Sequence, residues 1–144
     1  MRSNLYETDF YGWTQQQAAL LKDGRLSDLD VMHLMEEIEF MGGSERRELE
    51  SRLEILFMHL LKWKYQPSHR GTSWTLTIKE QRRKIARHLE KNPSLKSKLS
   101  EMATEAYGDA VLSAARETGF DESTFPESMP WTLLQVFEAN YLPE

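Results

Sequence analysis

The sequence predicts an all-α protein, a single-domain bundle of about five main helices plus a short C-terminal helix. Apolar residues recur at helical spacing along nearly all of the 144 residues. Strand-like alternation is confined to the short stretch WTLTI, which leads straight into a charged helical pattern. Proline and glycine separate the periodic segments, where they are expected to end helices. At this length, one domain over residues 1–144 is the natural expectation.

Caps and glycines bound the first two predicted helices. The first covers Phe10–Lys22, with Asp9 as its N-cap and Gly24 as its stop. The second begins at Ser27 and ends at the pair Gly42-Gly43, which we interpret as a tight turn between helices.

The second predicted helix carries apolar residues on two sides. Its main stripe, expected to face the core, consists of Val31, Leu34, Met35, Ile38 and Met41. A thinner stripe of Leu29 and Phe40 lies opposite. We expect this second stripe to be covered either by the first helix or by another subunit.

The third predicted helix, over about 44–65, is the centre of the bundle. It is apolar nearly all round between residues 55 and 61, and Pro67 ends it. Its seam, at spacings of three and four, consists of Leu49, Leu53, Leu56, Leu60 and Trp63. We therefore expect Leu56 and Leu60 in the core.

Two long helices and a short one complete the bundle. The fourth is predicted over about 73–91. Asn92 is the predicted N-cap of the fifth, with Pro93 at its first position, and this helix should end before Gly119. A loop follows, and Pro130 opens the last short helix.

Charge is segregated along the chain, whose net charge is −5. Residues 1–61 carry net −6 and residues 99–144 net −8, whereas residues 62–98 carry net +9. The outward face of the fourth helix holds Lys79, Arg83, Lys84, Arg87 and Lys91. Such a face with aromatic neighbours is typical of nucleic-acid or other polyanion binding. We prefer a solvated face that partly neutralises acidic neighbours, because the whole chain is acidic.

The bend at residues 60–74 gathers aromatic and basic side chains. We interpret it as a structural joint in which Trp63 and Trp74 pack across the bend. Arginine can hold a carboxylate bidentately, so the bend and its neighbours predict ion pairs to acids of the second helix. This candidate polar cluster consists of Glu36, Glu37, Glu39, Arg70 and Arg82.

No residue is assigned a catalytic, cofactor-binding or metal-binding role. The chain has no cysteine, which excludes disulfides and thiolate sites. His33, His59 and His88 fall on three predicted helices, but their positions diverge and no Glu-x-x-His pair accompanies them. We therefore expect no metal ion shared by the three and no cofactor.

Neither the acids nor the glycine pair of the second helix indicates a reaction centre. Consecutive acids in MEEIEFM diverge by about 100° per residue, which disfavours a joint acid–base role. Gly42-Gly43-Ser44 lacks the length and the lysine of a phosphate loop. The N-terminus has no apolar signal region and no apolar run could span a bilayer, so we expect a cytoplasmic protein without membrane contact.

Several stretches together resemble the bacterial family called domain of unknown function 29. They are DFYGWTQQQAALLKDGR, LMEEIEFMGGSERRELESRL, HLLKWKYQP, NPSLK and FPESMPWTL, and the resemblance spans about residues 6–143. It implies a small, mostly helical bundle without an assigned activity, cofactor or catalytic residue. The family's motif positions fall on Asp9, Tyr11, Trp13, Glu36, Glu37, Glu39, Gly42, Glu45, Arg46, Leu60, Lys62, Trp63, Gln66, Pro67, Arg70, Trp74, Gln81 and Arg82. The chain departs from the pattern at Gly43 and at Met129, where the family often has a basic residue and a cysteine.

Three functions follow as hypotheses. The leading one is a non-enzymatic interaction module that binds an unknown protein partner or forms a homo-oligomer. The first alternative is a nucleic-acid or polyanion binder that uses the basic band at residues 62–98. The second alternative is a metal-dependent enzyme that uses His and Glu residues of the bundle.

Overall fold

A computed structural model, which describes residues 5–144, shows an all-α protein and confirms the predicted fold class. Short 3-10 turns connect its helices, and no strand occurs among the described residues. The helices are α1 (Leu5–Thr8), α2 (Phe10–Lys22), α3 (Val31–Tyr65), α4 (Thr72–Lys91), α5 (Leu99–Thr118) and α6 (Leu133–Phe137). None of these helices combines the length and the apolar character that a membrane crossing requires.

The chain divides into two compact units, one up to Ser44 and one over Glu45–Glu144. Unit 1 contains α1, α2 and the first part of α3, and unit 2 contains the rest of α3 with α4, α5 and α6. The helix α3 continues from unit 1 into unit 2. A single domain over residues 1–144 therefore stays a prediction. Residues 1–4 of that predicted domain lie outside the described residues.

Local signals at both ends of α2 are confirmed. The Asp9 carboxylate accepts a hydrogen bond from a backbone N–H of the first turn. At the other end Gly24 has a φ of +70°, the left-handed conformation that glycine adopts readily. The N–H groups of Gly24 and Arg25 then bind the carbonyls of Leu21 and Leu20, which satisfies two carbonyls at the helix end.

The predicted turn at Gly42-Gly43 is wrong, because both glycines lie inside the 35-residue helix α3. Neither has a positive φ. A glycine in a helix costs about 1 kcal/mol relative to alanine, which strong helix formers on both sides can offset. The predicted start at Ser27 is also wrong, since residues 26–28 form a 3-10 turn and α3 begins at Val31. Because no helix starts at Ser44, the backbone N–H groups there are bonded within α3 and are not free to bind an anion.

The core of unit 2 is built on the second half of α3, as the seam predicts. Leu49, Leu53, Leu56 and Leu60 are fully buried, whereas Trp63 is half-buried. The other large contributors come from α4, α5 and the C-terminal segment, and include Ile78, Ile85, Met102, Tyr107, Phe125, Trp131 and Val136. Burial on this scale supplies most of the folding free energy of a domain.

The later helix boundaries are confirmed in part. α4 begins one residue before the prediction, and Gly119 ends α5 in the left-handed conformation, with a φ of +77°. Asn92 and Pro93 begin a 3-10 helix over Pro93–Lys98, as the cap signal predicts, but α5 itself begins at Leu99. The Asn92 side chain makes no N-cap bond and donates instead to the carbonyl of His88 at 3.0 Å. Thr132 and Gln135 begin α6 with a reciprocal capping box, two residues after Pro130.

Candidate functional site

Arg82 binds main-chain carbonyls of the C-terminal segment. Its Nε donates to Val136 at 2.7 Å, its Nη2 to Tyr141 at 2.8 Å and its Nη1 to Ala139 at 3.3 Å. Only 8% of the surface of Arg82 is exposed to solvent. This burial lowers the pKa of its guanidinium group. Three fixed donors match three carbonyls, so Arg82 fastens this segment to α4.

Arg70 also has a main-chain partner instead of a carboxylate. Its Nε donates to the carbonyl of Trp63 at 2.6 Å, and its guanidinium lies 5.0 Å from the centre of the Trp63 ring. Lys62 donates to Glu117 at 2.7 Å and its Nζ lies 4.7 Å from the Trp74 ring centre. The two tryptophans therefore stack on cations, which replaces the predicted indole pair across the bend.

The three glutamates of the predicted polar cluster lie in unit 1. Glu37 accepts a hydrogen bond of 2.5 Å from the hydroxyl of Tyr6, which raises the pKa of that tyrosine to about 12. Glu36 and Glu39 are exposed. Arg70 and Arg82 lie in unit 2, so the predicted cluster of acids and arginines stays a prediction.

A polar network in unit 1 was missed at the sequence level. The Asp30 carboxylate binds the His33 Nδ1 at 2.6 Å and accepts a hydrogen bond of 3.0 Å from the Trp13 indole. The backbone N–H of Asp30 donates to Gln17 at 2.8 Å, and the ring of Tyr6 stacks on that of His33 at 3.9 Å. Together these contacts fix α1 and α2 against the start of α3.

We expect the His33 imidazole to titrate above its ordinary pKa of about 6.5. The hydrogen bond that His33 donates to the Asp30 carboxylate raises the pKa of His33, and the same contact lowers the pKa of Asp30. The contribution of His33 to stability is present below its ordinary pKa and is lost as pH rises through the raised value. The contribution of Asp30 to stability is present above its ordinary pKa and is lost as pH falls through the lowered pKa. The pair therefore stabilises the protein most between about pH 4 and 6.5.

NMR titration of the histidine ring protons measures this shift. Asp30→Asn should bring the pKa of His33 down toward its ordinary value. Asp28→Asn removes the same charge from a carboxylate that pairs with Arg25, so it should leave His33 unchanged. A titration of His33 that is the same in all three proteins would contradict the Asp30–His33 contact.

The three histidines that were considered as metal ligands have separate surroundings. His59 binds the carbonyl of Ile55 through Nδ1, and burial lowers its pKa. The buried His88 uses both ring nitrogens, Nδ1 toward the Glu48 carboxylate at 2.7 Å and Nε2 toward the Glu45 carbonyl at 2.8 Å. That no ion is shared by the three remains a prediction.

Glu45, Glu48 and His88 are close enough together to be considered as a metal site, with one ligand atom each within 4.8 Å of the others. The groove that they line also contains Arg52, Lys84, Arg87 and Lys91. Four cations around two carboxylates oppose the binding of a further cation. The arrangement therefore favours an ion-pair network over a metal centre.

The main apolar stripe of the first part of α3 is exposed, although it was predicted to face the core. We define the apolar face as Val31, Met35, Ile38 and Met41, whose exposed fractions are 63, 53, 66 and 64%. Leu34 beside them is half-buried. The helical periodicity was correctly interpreted, but the described residues of the chain do not cover this stripe.

The predicted polyanion face lies along α4. Lys79, Arg83, Arg87 and Lys91 are exposed, whereas Lys84 is half-buried and binds Glu80 at 2.6 Å. We define the cationic row as the four exposed residues, which repeat every fourth position.

Comparison with known proteins gives one match. A model of the family described as Domain of unknown function DUF29 matches residues 5–142 of the chain. Neither the curated proteins nor the solved structures that were compared gave a match. The functional argument therefore rests on the geometry of the chain itself.

Proposed function

We propose that this chain, which belongs to the family Domain of unknown function DUF29, is a non-enzymatic interaction module that associates with a second copy through the apolar face of α3. The observation that carries the proposal is the exposure of four apolar side chains on successive turns of one helix. Clustered exposure of this kind is typical of a protein interaction site. We place the module in the bacterial cytoplasm, which suits a chain without cysteine.

The spacing of the apolar face suits a partner helix. Val31, Met35, Ile38 and Met41 follow one another at intervals of four, three and three. An α-helix has 3.6 residues per turn, so these side chains lie on one side of the helix, within about 120° of its circumference. An apolar face of this width can pack against a partner helix.

A second copy is the partner that we infer, because the face is apolar from end to end and can pair with itself. Two-fold symmetric pairs are the commonest protein oligomers, and they bury the same patch on both chains. Burying a side chain that is just over half exposed contributes roughly 1–2 kcal/mol. The gain from eight such side chains is comparable to the entropy cost of association, so the pair is weak. We therefore expect a weak dimer, with a Kd of about 1–100 µM.

Charge distinguishes self-association from binding to a basic partner. Residues 1–44 contain three cations and eight acids, and Glu36 and Glu39 are exposed near the apolar face. Two copies repel each other through these acids, and salt screens that repulsion. Self-association should therefore strengthen with salt, whereas binding of a basic partner would weaken.

Sedimentation velocity from about 1 to 300 µM, at low and high salt, tests the proposal. The wild type should change from monomer to dimer over this range, at lower concentration in high salt. Ile38→Glu should remain a monomer throughout, because its carboxylate would be desolvated in the interface. Leu134→Glu is the matched control, since Leu134 is 84% exposed on α6, outside the apolar face.

Circular dichroism separates lost association from lost folding, and both variants should retain the helicity of the wild type. A wild type that stays monomeric to 300 µM would refute self-association. So would an Ile38→Glu variant that dimerises as the wild type does.

A further inference from the structure

Independently of self-association, we propose that the cationic row on α4 binds a linear chain of phosphate groups. Inorganic polyphosphate and the backbone of a single-stranded nucleic acid share this chemistry. The row belongs to unit 2, whereas the apolar face belongs to unit 1, so different observations carry the two proposals.

The row places charge at regular intervals. Lys79, Arg83, Arg87 and Lys91 repeat every four residues. Each step rises about 6 Å along the helix axis, so the four cations extend over about 18 Å. Residues at this spacing form one ridge on the helix surface. A ligand with repeating negative charges can follow such a ridge.

The four cations are not used inside the fold. Among residues 5–144, none of their side chains forms a hydrogen bond or an ion pair. The neighbouring Lys84, by contrast, binds Glu80, and Lys62 binds Glu117. Like charges four residues apart destabilise a helix by about 0.2–0.5 kcal/mol per pair. A bound polyanion would turn this repulsion into attraction.

Two surface grooves border the row, and Arg87 lines both. The first, of about 500 Å³, contains Lys79 and Arg83 beside Leu76. The second, of about 300 Å³, contains Lys84 and Lys91. The shared arginine places the two depressions side by side along the ridge. A chain of phosphates could occupy both while it follows the row.

The second groove also contains a donor without an acceptor. The Nε of Arg52 is buried and has no hydrogen-bond partner among the described residues. The nearest carboxylate oxygen, on Glu48, lies 3.7 Å away and is itself bound to His88. Glu45 also lines the groove, 3.5 Å from His88. Cations outnumber the two carboxylates in this groove, which favours an anion there.

Arginine favours phosphate for a geometric reason. The planar guanidinium can donate two parallel hydrogen bonds to one phosphate group, and two of the four cations in the row are arginines. A flexible acidic protein would offer carboxylates without a fixed interval. We therefore assign phosphate and treat acidic polypeptide as the competing ligand.

Fluorescence anisotropy of a labelled 20-nucleotide thymidine strand at about 50 and 200 mM salt tests the proposal. Four phosphate contacts on a single strand predict a slope of about −2.8 in log K against log salt, or about 50-fold weaker binding at the higher salt. Arg83→Gln/Arg87→Gln should bind more weakly, with a slope near −1.4 and a loss of about sevenfold. Lys96→Gln/Lys98→Gln removes the same charge from two exposed residues outside α4 and should match the wild type.

Competition with inorganic polyphosphate and with polyglutamate completes the experiment. Binding of either phosphate chain with the expected slope supports the proposal, and their relative affinities identify the source of the phosphates. Polyglutamate that competes as well as polyphosphate would overturn the choice of phosphate. No salt-dependent binding of either chain, or equal binding by Arg83→Gln/Arg87→Gln, would overturn the site.

Discussion

Arg82→Ala is expected to lower the free energy of unfolding by about 3–5 kcal/mol, because it leaves one buried and two part-buried carbonyl groups without donors. The guanidinium of Arg82 binds the carbonyls of Val136, Ala139 and Tyr141. Hydrogen bonds to a charged group contribute about 1.5–3 kcal/mol each. The expected loss of unfolding free energy is smaller than the sum of three such bonds, because water can hydrate part of the C-terminal segment once that segment detaches from α4.

Urea denaturation of Arg82→Ala, Arg82→Lys and Arg83→Ala measures this effect. Lysine carries the charge but cannot place three donors in one plane, so Arg82→Lys should recover less than half of the loss. Arg83 is the adjacent, exposed residue, and its replacement should change stability by no more than about 0.5 kcal/mol. A loss below about 1 kcal/mol in Arg82→Ala would show that its carbonyl bonds contribute little.

Leu60→Ala is expected to destabilise the protein by about 2–5 kcal/mol. Leu60 is fully buried on the second half of α3. Truncation removes its transfer free energy and leaves a cavity that the surrounding helices fill only in part. The same denaturation experiment applies, with Leu112→Ala as control, since Leu112 is half exposed on α5. A loss below about 0.5 kcal/mol would place Leu60 outside the core.

Local signals were sufficient to predict α2 and nearly sufficient for α4. A cap such as Asp9 or a left-handed stop such as Gly24 acts within a few residues, so the sequence contains the whole cause. The seam of α3, fully buried except at Trp63, was predictable for the same reason, because its spacing is set by one helix. The sequence therefore specifies both ends of α2 and the face of α3 that is buried in unit 2.

The continuity of α3 was not predictable from the glycine pair alone. Gly42 and Gly43 disfavour a helix, but they do not prohibit it unless the backbone turns left-handed there. Their neighbours are strong helix formers, and no proline interrupts the segment. Propensity is a weak local term, so the longer helical pattern on both sides decided the outcome.

The contacts of Arg82 required the fold, because its partners are 54 to 59 residues away. Its position at the edge of the apolar stripe of α4 indicated burial. The sequence could not indicate its partners, because every residue has a backbone carbonyl. The partner that Glu37 has, the hydroxyl of Tyr6, is likewise 31 residues away in the sequence. For Asp30 and His33, by contrast, the spacing of three residues on one helical turn could have indicated the pair.

The central claim, self-association through the apolar face, is tested most directly by the methyl groups of methionine in the unmodified chain. Met35 and Met41 lie on the apolar face, whereas Met102 is fully buried in α5 and provides an internal control. NMR spectra of protein labelled at the methionine methyl carbons are recorded from about 1 to 300 µM. We predict that the signals of Met35 and Met41 shift with concentration while that of Met102 stays constant. Signals of Met35 and Met41 that remain fixed over the whole range would contradict the account.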